Sequence, residues 1–204
     1  MGIRDRSVTV ANLAVAVAQT DKKVLLIDAD MRKPVQHKCF RLSNKVGLSD
    51  VITGDKPLDK ALNRNVTGSL DVLTSGTIPP NPSELLASRQ MKELLETLKE
   101  RYDMILIDCA PINVVSDVAG LSQEIAGVVM VVHYGFTTYP ELDDAVNRLA
   151  LANCNVLGFA VNEVSSKHGS GYYSNYKYKY KYKYDYQYGS AKQAEEKEKA
   201  GSAC

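Results

Sequence analysis

The sequence predicts a doubly wound α/β domain, in which helices cover both faces of a mostly parallel sheet. Three short apolar runs rich in β-branched residues indicate strands buried on both faces: VLLID at 24–28, MILID at 104–108 and VVMVV at 128–132. Helical patterns separate these runs, and strands that alternate with helices are typical of βαβ units. A chain of 204 residues is long enough to bury one such core.

Further elements are predicted around these three strands. A fourth strand is expected at 156–162 and a weaker fifth at 70–76. Ser83 is expected to cap a helix that runs to Lys99, because apolar residues repeat at helical spacing along it. The apolar face of that helix comprises Met91, Leu94, Leu95 and Leu98. Pro140 is expected to start another helix. Its apolar face comprises Leu142, Ala145, Val146 and Leu149.

The pattern of strands and helices stops near Ser165, which divides the chain into a domain at 1–165 and a tail at 166–204. The tail has too little apolar surface to offset its ordering entropy, so we expect it to be flexible. It nevertheless contains nine of the 12 tyrosines of the chain, most of them alternating with lysine. These tyrosines are Tyr172, Tyr173, Tyr176, Tyr178, Tyr180, Tyr182, Tyr184, Tyr186 and Tyr188.

Composition excludes several classes of protein. Lys and Arg number 25 against 24 Asp and Glu, so the overall charge gives no sign of a nucleic-acid partner. No run of about 18 apolar residues exists, and the N-terminus lacks the apolar core of a signal peptide. The four cysteines have no metal-binding or redox spacing, which is typical of reduced thiols in the cytoplasm.

Two of the predicted strands end in an aspartate. VLLID ends at Asp28 and is followed by Asp30, and MILID ends at Asp108. Ligands of open α/β sheets bind outside the carboxyl ends of the strands, so these carboxylates are expected to face one crevice. Strand-end carboxylates can hold Mg²⁺ beside a phosphate chain, although an aspartate at such a position also commonly caps a turn. Two such strands together favour phosphoryl-transfer chemistry.

Several longer motifs carry a resemblance to a known family. Between about Val8 and Glu163 the chain contains LLIDADMRKP, CFRL, GLSDVITG, PPNPSELLAS and YDMILIDCAP, in that order. Together with the tyrosine cluster, this series resembles the bacterial tyrosine kinases of the capsule and exopolysaccharide type. The resemblance implies the P-loop NTPase fold shared with the MinD and ParA ATPases. In that family the strand that ends at Asp28 is called Walker A′, and the strand that ends at Asp108 is called Walker B.

The resemblance also implies roles for individual residues, with ATP and Mg²⁺ as cofactors. Asp28 would activate the attacking tyrosine hydroxyl and help to order Mg²⁺, and Asp30 would support the same metal site. Asp108 would hold Mg²⁺ through water. Arg32 and the neighbouring Lys33 are candidates for contact with phosphate or with another subunit, or they are solvated charges.

The beginning of the chain departs from the family pattern. A Walker A loop should precede VTVANLAVAVAQ, which matches the helix that follows this loop. Asp5, Arg6 and Ser7 stand where glycine, lysine and serine would fall. Ser7 keeps the hydroxyl that ligates Mg²⁺, and Arg6 keeps a positive charge with a bulkier head. The strand that leads into the loop lies inside the sheet in this fold, and without it two neighbouring strands would lack a partner. We therefore expect a P-loop domain whose first strand and P-loop are truncated.

The leading hypothesis for function is an ATP-dependent protein-tyrosine autokinase in capsular or exopolysaccharide synthesis and export, which phosphorylates its own tyrosine cluster. The resemblance implies a homo-oligomer, a membrane adaptor of the polysaccharide co-polymerase type that recruits the cytoplasmic chain to the inner face of the membrane, and a cognate tyrosine phosphatase.

Three alternatives stay open. The first is a catalytically impaired paralogue or fragment that serves as a regulatory subunit and substrate of an intact kinase. The second is a MinD-like or ParA-like ATPase. The third is a lysine–tyrosine tail that binds single-stranded nucleic acid, although four lysines give only modest affinity at physiological salt.

Overall fold

The computed structural model describes residues 3–112 and 117–164 of the chain. The predicted tyrosine-rich tail at 166–204, with all its candidate phosphorylation sites, lies outside the described residues. The division into a domain and a tail therefore stays a prediction.

Fourteen elements follow one another along the described residues. They are α1 (Ile3–Ala18), β1 (Val24–Asp28), α2 (Gln36–Cys39), α3 (Leu48–Ile52), α4 (Leu58–Ala61), β2 (Leu62–Thr67), β3 (Leu70–Leu73), α5 (Pro82–Leu86), α6 (Arg89–Lys99), β4 (Met104–Asp108), a 3₁₀ helix (Asp117–Leu121), β5 (Val128–His133), α7 (Tyr139–Leu151) and β6 (Val156–Asn162).

The larger sheet has four strands in the order β2-β3-β1-β4. Strand β1 pairs in parallel with β3 on one side and with β4 on the other, and β2 pairs with β3 in the antiparallel direction. All five residues of β1 are buried, because β1 has a strand on each side and apolar side chains against both of its faces. This is the covered parallel strand that the run VLLID predicted.

The smaller sheet contains only β5 and β6, which run parallel. Among the described residues, β4 has β1 as its only strand neighbour and β5 has only β6. The predicted strands at 128–132 and 156–162 are confirmed, but most of their residues are half-buried or exposed.

The two faces of the larger sheet are covered by different parts of the chain. One face packs against α1 through Ala11, Ala14 and Ala18, whose small side chains let the helix approach the strands closely. The other face packs against the apolar stripe of α6, which is the set of four residues that the sequence predicted. Strands β1 and β4 therefore lie between two apolar layers.

Two of the sequence predictions need correction. The prediction of a single helix from Ser83 to Lys99 is wrong, because α5 ends at Leu86 and a second helix, α6, begins at Arg89. Ser88 caps α6 by accepting a hydrogen bond from the Met91 amide at 3.2 Å. The apolar period continues across this break, so periodicity alone did not reveal it. The fifth strand is shorter than expected and ends at Leu73.

The helix expected at Pro140 is confirmed as α7, which begins one residue earlier at Tyr139. Thr138 and Glu141 form a reciprocal capping box at its start. Ala145 and Leu149 are its buried residues, as the helical spacing predicted.

Candidate functional site

The two strand-end aspartates lie side by side at the carboxyl edge of the larger sheet. Strands β1 and β4 are parallel and in register, so that Asp28 is the ladder partner of Asp108. The backbone of the two strands stays joined just beyond this pair, where the Ala29 amide donates to the Asp108 carbonyl at 2.8 Å. The relative solvent exposure is 0% for Asp28 and 5% for Asp108. The predicted juxtaposition of the two carboxylates is therefore present in the fold.

Asp28 is held at the start of α2 by one of its two carboxylate oxygens. Its Oδ2 accepts hydrogen bonds from the backbone amides of Val35 at 3.0 Å and Gln36 at 2.9 Å. Its Oδ1 is buried and has no hydrogen-bond partner among the described residues. A buried carboxylate oxygen without a donor is costly, so this oxygen is an acceptor available to water or a ligand.

Asp108 is held by side chains from two other elements. Gln36 at the start of α2 donates from Nε2 to Asp108 Oδ2 at 2.7 Å. Ser7 in α1 also makes a side-chain hydrogen bond to the Asp108 carboxylate. These contacts bring the first turns of α1 to the carboxyl ends of β1 and β4.

Arg6 and Ser7 lie within α1, because this helix already begins at Ile3. Ser7 is buried, and Arg6 is half-buried and close enough to Asp108 to lower its pKa. The Nε atom of Arg6 is buried and has no partner among the described residues. The candidate magnesium ligand and the candidate phosphate ligand are therefore next to the carboxylate pair, on a helix whose N-terminal end favours anions.

Asp30 and Arg32 make contacts of a different kind. Asp30 is 5% exposed, and its Oδ1 accepts a hydrogen bond from the Lys33 amide at 3.0 Å, which closes the turn after β1. Arg32 is exposed, and its Nη2 donates to the Ser83 Oγ at 2.8 Å. The start of α5, in the motif PPNPSELL, is thus connected to the Walker A′ segment through Arg32.

Burial changes the protonation chemistry of the carboxylate pair. Desolvation is the largest effect on Asp28 and raises its pKa to about 7, with further raising contributions from the charges of Asp108 and Asp30. The two amide hydrogen bonds to Asp28 act in the opposite direction and favour the charged form. Burial likewise raises the pKa of Asp108, against the lowering effect of its hydrogen bonds from Ser7 and Gln36.

The residues of this site fit a divalent cation that shares its ligands with phosphate and water. No cluster of three Asp, Glu, His or Cys residues that would enclose a metal ion exists in the part of the chain that the structure describes. The site instead offers the carboxylates of Asp28 and Asp108, with Asp28 Oδ1 unpartnered among the described residues, and the Ser7 hydroxyl. Mg²⁺ is usually bound by one or two carboxylates together with substrate phosphates and waters, which matches this donor set.

Sequence reasoning missed Gln36. This residue is fully buried and contacts Asp28 through its backbone and Asp108 through its side chain. Its partners are 8 and 72 positions away in the sequence. No periodicity or motif spacing reports a contact of that range.

The whole pattern of strands, helices and site residues has counterparts in known proteins. Residues 4–138 match the family model described as AAA domain. The tyrosine-protein kinase YwqD of Bacillus subtilis (strain 168) is 45% identical over 170 residues, which cover 82% of this chain and 72% of that kinase. The tyrosine-protein kinase etk of Escherichia coli (strain K12) is 37% identical over 162 residues. These cover 79% of this chain but only 22% of that relative.

Solved structures agree with these relatives. The chimerical protein CapA2B2 superposes with a TM-score of 0.75 at 38% identity, covering 77% of this chain and 70% of that one. The kinase domain of the Escherichia coli tyrosine kinase ETK gives a TM-score of 0.73 at 38% identity, covering 78% and 63% respectively. MinD of Pyrococcus horikoshii OT3 gives 0.66 at 22% identity, covering 80% and 67%, and shows the shared fold alone.

The fold and the site define a nucleotide-binding domain of the P-loop NTPase class, in which a divalent metal accompanies the nucleotide. Within that class, the chain belongs to the AAA domain family and to the bacterial tyrosine-protein kinases. The resemblance and the fold class read from the sequence are both confirmed.

Proposed function

We propose that this chain is the catalytic domain of an ATP-dependent, Mg²⁺-requiring protein-tyrosine kinase. It phosphorylates the tyrosine cluster in the tail of the chain. The observation that carries the proposal is the buried pair of Asp28 and Asp108, joined to α1 and α2 by the hydrogen bonds of Ser7 and Gln36. The identity to named tyrosine-protein kinases supports the choice of a phenol as phosphate acceptor.

Asp28 is suited to accept the proton of the tyrosine hydroxyl. In the chain without nucleotide or metal, burial raises the pKa of Asp28 to about 7, and a general base works best when its pKa is near the operating pH. Its unpartnered Oδ1 leaves one oxygen for that proton, while the amides of Val35 and Gln36 hold the other. The tyrosine phenol has a pKa of about 10, so the transfer requires a base of this kind.

The other site residues orient the reacting groups. Ser7 and Asp108 would hold the metal ion, which when bound neutralises charge on the phosphate chain. Arg6 would contribute a positive charge at the start of α1, in the place of the usual lysine. Asp30 would keep the turn after β1 closed by its bond to the Lys33 amide, and Arg32 would anchor that turn to Ser83.

The proposal extends to the setting of the reaction. None of the described helices is both long and apolar enough to cross a bilayer. The similarity to bacterial tyrosine-protein kinases supports the proposal that the chain acts at the inner face of the membrane by binding a membrane adaptor of the polysaccharide co-polymerase type. Other copies of the chain would present their tails, and a tyrosine phosphatase would reverse the modification. Phosphate on several tail tyrosines adds a charge of about −2 each and would separate neighbouring copies.

A transfer assay tests the proposal. The full chain is incubated with radiolabelled ATP and Mg²⁺, with and without the cytoplasmic segment of an adaptor, and phosphotyrosine is detected. We expect label in the wild-type chain and none in a variant whose nine tail tyrosines are replaced by phenylalanine. The absence of label in the wild type under both conditions would reject the kinase activity of this chain.

A second candidate function is a regulatory subunit that serves as substrate for an intact kinase. Arg6 favours this candidate, because it occupies the lysine position and its buried Nε lacks a partner among the described residues. The test adds an active relative, such as the Bacillus subtilis kinase YwqD, to the unlabelled chain. Label on the tail that depends on the relative alone would support the regulatory role over autophosphorylation.

A further inference from the structure

Gln36 connects three separate parts of the candidate site. Its backbone amide donates to Asp28 Oδ2 at 2.9 Å. Its side-chain Nε2 donates to Asp108 Oδ2 at 2.7 Å and to the Ser7 carbonyl at 2.9 Å. The residue is 0% exposed. One side chain therefore joins helix α1 to the ends of both carboxylate strands.

These contacts allow only one orientation of the Gln36 amide. Both hydrogens of Nε2 are used, one by a carboxylate and one by a carbonyl, and both of these partners are acceptors only. A flipped amide would set its own oxygen against the same two acceptors. The assignment of nitrogen and oxygen is thus determined by the hydrogen-bond network.

The same orientation leaves the Gln36 oxygen without a donor. Oε1 is buried and has no hydrogen-bond partner among the described residues, as is true of Asp28 Oδ1. A buried polar atom without a partner destabilises the fold. A residue selected only to fill the core would avoid this cost, since a methionine has a similar shape and no polar atoms. The Gln36 amide therefore does more than fill space, because its two donated bonds satisfy Asp108 and the Ser7 carbonyl.

We infer that Gln36 is a positioning residue, which fixes the Asp108 carboxylate relative to Ser7 and Asp28 so that the metal-binding oxygens converge. This inference rests on the proposed kinase function, and it concerns the orientation of groups rather than a contact with the substrate. Loss of the amide would leave the Asp108 carboxylate held by Ser7 without Gln36, while the packing of α2 would persist.

Two substitutions at Gln36 separate positioning from packing. Gln36→Met keeps the volume and removes both donated bonds, and Gln36→Glu additionally sets a carboxylate against Asp108. Gln90→Met and Gln90→Glu are matched controls, because Gln90 is an exposed residue of α6. Folding of each variant is checked by circular dichroism and urea unfolding before the functional readouts.

The first readout measures kcat and KM separately for phosphorylation of a tyrosine peptide. We expect Gln36→Met to lower kcat about 100-fold while the KM for the peptide changes less than about threefold, because positioning acts on the transition state. The Gln90 variants should match the wild type. A folded Gln36→Met variant with an unchanged kcat would overturn the inference.

The second readout does not depend on activity. The NMR signal of the Asp108 carboxyl carbon is recorded in the chain without nucleotide. We expect it to shift in Gln36→Met and to stay unchanged in Gln90→Met. If the wild type transfers no phosphate, the proposed function fails, but this signal still shows whether Gln36 positions the Asp108 carboxylate. An Asp108 signal that does not respond to Gln36→Met would contradict the positioning role.

Discussion

Strands β1 and β5 have similar sequences but very different surroundings. VLLID and VVMVV are both short, apolar and rich in branched residues. All five residues of β1 are buried, whereas β5 is half-buried at most positions and Val129 is 49% exposed. The difference comes from neighbours, since β1 lies between β3 and β4 while β5 pairs with β6 alone among the described residues.

Composition predicts a strand, but the place of the strand in the sheet determines its burial and its chemistry. The buried strand is the one that ends in a carboxylate with a raised pKa. Its neighbours remove water from Asp28 on all sides, which a two-stranded sheet cannot do. The site therefore depends on the four-stranded sheet, and the smaller sheet should tolerate more change.

The largest expected effect follows from the charge buried at the end of β1. Asp28 titrates near 3.8 in the unfolded chain and near 7 in the folded chain. Between these values the folded chain holds the extra proton, so the free energy of unfolding falls as the pH rises from about 4 to about 7. The loss is on the order of 4 kcal/mol at most.

Asp28→Asn should remove this penalty. An asparagine can still accept from the amides of Val35 and Gln36, and it carries no charge at any pH. We expect the variant without nucleotide to be more stable than the wild type at pH 8 and equally stable near pH 4. Urea unfolding at a series of pH values measures the difference. Parallel pH profiles for the two chains would show that Asp28 is not the titrating group.

The next prediction compares how much a truncated side chain in each of the two sheets lowers the free energy of unfolding. Leu26 is 0% exposed in the middle of β1, and Leu157 is 59% exposed in β6. We expect Leu26→Ala to lower the free energy of unfolding by about 3 kcal/mol, because it leaves a cavity, and Leu157→Ala to lower it by less than about 1 kcal/mol. Urea unfolding compares the two. Equal losses would mean that the smaller sheet is as tightly packed as the larger one.

The smallest expected change in stability concerns the boundary between the separate helices α5 and α6. Ser88 accepts from the Met91 amide, so Ser88→Ala should cost about 1 kcal/mol through loss of the helix cap. Ser83→Ala is the comparison, because Ser83 lies inside α5, whose N-cap residue is Asn81, and its hydroxyl accepts from Arg32. Urea unfolding at neutral pH resolves a difference of this size. A larger loss at Ser83 than at Ser88 would favour one continuous helix.

Much of the fold was predictable, because apolar strands and amphipathic helices are local patterns. The juxtaposition of Asp28 and Asp108 was predictable too, since the carboxyl ends of parallel strands meet at one edge. The break at Ser88 was not, because the apolar period runs through it unchanged. Gln36 was missed because its function lies in contacts with Ser7 and Asp108, which are 29 and 72 positions away.

We propose that the buried pair of Asp28 and Asp108 supports phosphoryl transfer to tyrosine. The most direct test measures incorporation of labelled phosphate from ATP into the tail of the wild-type chain and of Asp28→Asn, at pH 8 and with folding verified in both. We predict label in the wild type and a loss of at least about 100-fold in the variant, even though we expect the variant to be the more stable protein at this pH. Equal labelling of the two chains would contradict the claim.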